Sequence, residues 1–203
     1  MATVNYGPEG GVGDFAIGRT AGQTATWNMM VGTHVIDVSG ADTFIANTAG
    51  GSGIVNVLNS AKFYNDGTLN VGQNGYGEMN VLAGMYGSTW VTNTAGTIGS
   101  AASASNSFVL VSGQGAVWSN TTLTVGSAGS QSRLVITNGG QVYSTTSAGI
   151  GSAAGGSNSS VTVVGTMSKW QNNGALTIGN NAAARSSSLT ILDGATVTNG
   201  GSA

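Results

Sequence analysis

Apolar and polar residues alternate with period two along most of the chain, in short segments broken by glycine, asparagine or serine-rich stretches. Phe15-x-Ile17, Leu69-x-Val71, Leu123-x-Val125 and Leu176-x-Ile178 form one set. A second set is Met29/Val31, Val55/Val57, Met79/Val81, Val109/Val111, Leu134/Ile136, Val161/Val163 and Leu189/Ile191. Alternation of this kind predicts strands with one buried face.

The segments recur. A β-branched residue followed by a small one falls at Ile17-Gly18, Ile45-Ala46, Val71-Gly72, Ile98-Gly99, Val125-Gly126, Ile150-Gly151 and Ile178-Gly179, in steps of 25 to 28 residues. An independent series of large residues, Ile36, Phe63, Trp90, Trp118, Tyr143, Trp170 and Val197, keeps the same 25 to 28 spacing. Agreement between the two series overrides the disorder that so much Gly, Ser, Thr, Ala and Asn would suggest. Each repeat of about 27 residues holds three short strands. No single repeat can bury its own apolar face, whereas stacked copies can. The expected fold is all-β: a right-handed parallel β-helix, or solenoid, of about seven three-strand rungs. Its hand follows the usual crossover rule. Residues 1–14 break the pattern, carry the single proline and read as a partial N-terminal cap; 15–203 read as the repeats.

Two columns follow from the register. Ile36, Phe63, Trp90, Trp118, Tyr143, Trp170 and Val197 read as a core stack at one corner. Asn65, Asn93, Asn120, Asn172 and Asn199 read as a corner ladder, with Thr145 in the missing place. Asparagine tolerates left-handed backbone, and its amide can bond the copy above.

The units running from Trp118 to Gly126 and from Trp170 to Gly179 resemble the repeat W-x-N-x-G-x-L-x-V-G. That repeat is shared by type V secretion (autotransporter) passenger regions and sorting-signal surface proteins. Asn74–Val81 and Ser132–Gly140 are similar to its second half, G-x-G-x-L-x-V. The resemblance covers about Phe15 to Gly200. It implies a parallel β-helix exported to a cell surface.

Composition narrows the chemistry. Five Lys+Arg and seven Asp+Glu give 6% charged residues and a net charge of -2, against roughly 25% charged in an ordinary chain. Nucleic acid is not an expected partner, because phosphate binding depends on Lys and Arg. No apolar run is long enough for a membrane-spanning helix, and no basic stretch followed by an apolar run opens the sequence. With no cysteine and one histidine, His34, a His/Cys metal cluster is excluded, and no cofactor is expected. Asp14 and Asp42 form a weak acidic pair in neighbouring repeats. They could hold Ca²⁺ or act as a glycosidase pair, but read more simply as solvated acids. The remaining charges do not converge, so no enzyme is expected.

The expectation is an exported bacterial surface protein, extracellular, serving as a structural or adhesive scaffold. Its partners would be further copies stacked end to end into filaments, the remainder of a longer solenoid, surface glycans or host receptors. A carbohydrate-binding or polysaccharide-cleaving β-helix is the alternative.

Overall fold

The computed structural model describes residues 14–36, 40–85 and 87–201, with only the backbone of 34–36. All of its described regular structure is strand. In chain order, β1 (Phe15–Ile17), β2 (Thr24–Met29) and β3 (Thr33–Ile36) make one turn, and β4 (Thr43–Ile45), β5 (Ser52–Leu58) and β6 (Lys62–Asn65) the next. They are followed by β7 (Thr68–Val71), β8 (Tyr76–Leu82), β9 (Thr89–Ile98), β10 (Phe108–Ser112), β11 (Ala116–Val125), β12 (Arg133–Thr137) and β13 (Gln141–Ile150). The last strands are β14 (Ser160–Val164), β15 (Lys169–Asn172), β16 (Ala175–Ile178), β17 (Ser188–Leu192) and β18 (Thr196–Asn199).

Equivalent strands of successive turns pair in parallel. One sheet runs β17-β14-β12-β10-β8-β5-β2; the other holds the remaining eleven strands. The chain is a parallel β-solenoid of about seven turns of about 27 residues.

Three separate strands per turn hold only at the two ends. In β9, β11 and β13 the third strand of one turn and the first of the next fuse into a strand of 10 residues. The cause is local. Asp66-Gly67 and Asn173-Gly174 break the path with turn residues, whereas Thr94-Ala95 and Thr121-Thr122 stay extended, as β-branched residues favour.

The interior lies between the sheets. Val55, Met79, Val109, Leu134 and Val161 form one buried column, and Val57, Val81, Val111, Ile136 and Val163 the next. In the first turn these columns are filled by Trp27 and Met29 rather than Met29 and Val31, and Val31 is exposed. Trp27 packs edge-on against Phe15 at 4.9 Å and Phe63 at 5.7 Å between ring centroids.

The expected core stack needs a one-residue correction. The inward column is Phe63, Val91, Trp118, Val142, Trp170, Val197. Trp90 pairs with Lys62 and Val117 on the outer face, and Tyr143 pairs with Ser119 there. Large and small residues therefore alternate up the interior column. Ile36 aligns with Asn65, and the backbone of His34 with Phe63; the side chains of Ile36 and His34 lie outside the described residues. So does the structure of residues 1–13 in the expected cap.

Candidate functional site

Three groupings of polar and aromatic side chains stand out, each set by strand register. The first is the corner ladder. Asn93 and Asn120 pair in register, and Asn93 Nδ2 donates to Asn120 Oδ1 at 2.8 Å. Trp118 Nε1 donates to Asn93 Oδ1 at 2.7 Å. Asn120 Nδ2 reaches Tyr143 O at 3.4 Å. The missing place is taken by Ser144, which aligns with Asn120 and Asn172; Thr145 is exposed. Ser144 Oγ accepts from Trp170 Nε1 at 3.3 Å. Asn172 Nδ2 donates to Asn199 Oδ1 at 2.7 Å. Asn65 is buried at the foot of the column with neither amide atom bonded. The ladder is continuous as a column and discontinuous as a hydrogen-bond chain.

Asp14 and Asp42 are drawn together by the backbone. Asp42 N–H donates to Asp14 Oδ1 at 3.0 Å, and Thr68 N–H donates to Asp42 Oδ1 at 2.6 Å. Each carboxylate thus caps the turn that follows it. Among the described residues, no group of three or more His, Asp or Glu side chains gathers as a metal site.

The second grouping was not anticipated. On the outer face of the seven-stranded sheet Asn28, Asn56 and Asn80 align. Asn56 Nδ2 donates to Asn28 Oδ1 at 2.7 Å, and Asn80 Nδ2 to Asn56 Oδ1 at 2.9 Å. The signal was present in Trp27-Asn28-Met29, Val55-Asn56-Val57 and Met79-Asn80-Val81: one asparagine between two inward residues. Glu78 closes this network. Its Oε1 accepts from Asn80 at 2.8 Å and its Oε2 from the Tyr76 hydroxyl at 2.8 Å. Burial, the hydrogen bond to Glu78 and then its charge push the Tyr76 hydroxyl from 10.0 up to about 12, against a smaller lowering by Arg133. The Arg133 guanidinium sits 5.3 Å from the Phe108 ring centroid.

The third grouping lies on the outer face of the eleven-stranded sheet. Ser60, Lys62, Tyr64, Gly87, Ser88 and Trp90 line an open groove of about 560 Å³. Tyr64 and Trp90 are each 37% exposed. Further along this face the Tyr143 hydroxyl donates to Gln141 Oε1.

Among the described residues no helix is long and apolar enough to cross a membrane. Compared with family models, curated proteins and solved structures, the chain matches none.

Proposed function

We propose that this chain is an exported, extracellular structural or adhesive element of a bacterial surface. It is a solenoid scaffold of the kind that autotransporter passengers carry, extended end to end by a second copy or by further turns. One observation carries the reading: equivalent strands of successive turns pair in parallel throughout the described chain, so a further layer can add by the same bonds and apolar columns. Ile191 aligns with the fully buried Val163, and Ile178 with the fully buried Ile150, yet Ile191 is 47% and Ile178 45% exposed. Strands β16, β17 and β18 also offer a row of parallel-pairing backbone groups, which is a template for another strand layer. Self-association is opposed by few like charges, since only 6% of residues are charged.

Light scattering and negative-stain imaging of the chain at rising concentration test this. Linear assemblies one solenoid wide are expected. They should be lost in an Ile178→Lys/Ile191→Lys double variant. A particle of one chain's mass at every concentration removes end-to-end assembly.

A second reading, binding of carbohydrate, is favoured by the outward rings of Tyr64 and Trp90. Aromatic side chains left open to solvent on an otherwise small and polar face supply flat apolar surface for a ligand.

A further inference from the structure

We infer that the groove between Lys62, Tyr64 and Trp90 is a binding site for an acidic oligosaccharide, its pyranose faces lying on the two rings and its carboxylate held by Lys62. The inference rests on the second reading above and gives it a place and a ligand class.

Register makes the site. Lys62 and Trp90 are directly paired on neighbouring turns, and Tyr64 pairs with Thr92. Neighbouring turns lie about 4.8 Å apart, and diagonal residues on one face about 7–8 Å apart. Lys62 and Trp90 therefore leave the sheet side by side on the same face, with Tyr64 on the diagonal. Position by position, the column holding Trp90 reads Thr33, Lys62, Trp90, Val117, Gln141, Lys169, Thr196. Trp90 is the one aromatic in it, and the interior already has its indoles in Trp118 and Trp170. Trp90 leaves 37% of its surface open to solvent, which a bound ring would cover.

The surroundings select the ligand class. Ser60 and Ser88 bring hydroxyls to the groove, and among the described residues no acid lines it. The volume of about 560 Å³ falls within the roughly 300–1,000 Å³ usual for small-ligand sites. Single-stranded nucleic acid also stacks on aromatics, but it needs a cationic track, and among the described residues Lys62 is the only cation lining this groove. A protein partner needs about 1,000 Å² of complementary surface, whereas here two rings stand among Ser60, Lys62, Gly87 and Ser88.

Calorimetry of the full chain with an oligogalacturonate and with its uncharged galactose counterpart tests the assignment. The uronate should bind, at least tenfold tighter than the neutral sugar. Trp90→Ala and Lys62→Gln should each weaken it tenfold or more, and Trp90→Phe by only a few-fold. Circular dichroism melts of these outward variants should show them folded at the assay temperature, separating loss of the site from loss of fold. Uronate binding that survives Trp90→Ala overturns this site while leaving carbohydrate binding standing. Equal affinity for the two sugars overturns the role of Lys62. No heat with either sugar overturns both the site and the second reading.

Discussion

The indole nitrogen of Trp118 donates to Asn93 Oδ1, one turn back, at 2.7 Å. In that earlier turn the core position is Val91. Room beside the ladder comes from Gly96, on which a β-carbon would clash with both Trp118 Cζ2 and Asn120 Oδ1. Core and corner are thereby one structure: the same Asn93 amide that satisfies Trp118 also donates to Asn120.

Replacing Asn93 by Leu strands both groups at once. An unpaired buried donor or acceptor costs about 1–3 kcal/mol, so Asn93→Leu should lower the stability measured by urea unfolding by at least that much. Ala102→Ser, at an exposed position of the loop before β10, should stay within about 0.5 kcal/mol. Equal losses would remove the ladder from the account of stability.

Gly99 and Ser132 meet at one of the repeated corners. Gly99 has φ of 69°, and a β-carbon on it would lie 2.1 Å from Ser132 Oγ. That hydroxyl is itself fixed by donating to Gly129 O at 2.9 Å. Ser107, Ser159 and Ser187 stand in the same way against Gly72, Gly126 and Gly151. Gly99→Ala meets both the left-handed backbone and the clash, and should cost about 1–3 kcal/mol or more. The double change Gly99→Ala/Ser132→Gly should recover the part due to the clash, read from the same unfolding curves.

Two tryptophans of neighbouring turns should behave unequally. Trp118 is fully buried, so Trp118→Ala should lose about 3–5 kcal/mol. Trp90 faces outward with 37% of its surface exposed, so Trp90→Ala should cost well under half of the Trp118→Ala loss. A large loss at Trp90 would contradict the register of β9 against β11.

Stability should fall with alkali through Tyr76. Its hydroxyl is raised from 10.0 to about 12 by burial and then by Glu78. Below pH 10 folded and unfolded chains both keep this proton. Between about pH 10 and 12 the unfolded chain gives it up while the folded chain holds it. The folded state then binds more protons, so stability declines as pH rises through that window. Tyr76→Phe should make the decline shallower between pH 10 and 12, compared by slope rather than by absolute stability.

The amino-acid sequence by itself determined the period, the strand character and the stacking of turns. These depend on alternation within single segments and on its recurrence, both properties of the chain read along its length. Glycines such as Gly99 mark the corners for the same reason, since backbone strain is local. Register was decided only in the tertiary structure. Trp90-Val91 and Val142-Tyr143 each place two apolar residues side by side. Either member can face the core, and matching by size selects Trp90 and Tyr143. Strand pairing to the neighbouring turns selects Val91 and Val142, because a slip of one residue exchanges the two faces of a strand. The replacement of Thr145 by Ser144 in the ladder and the outward groove of Lys62, Tyr64 and Trp90 both follow from that choice. It is made by contacts about 27 residues apart, which no local pattern contains.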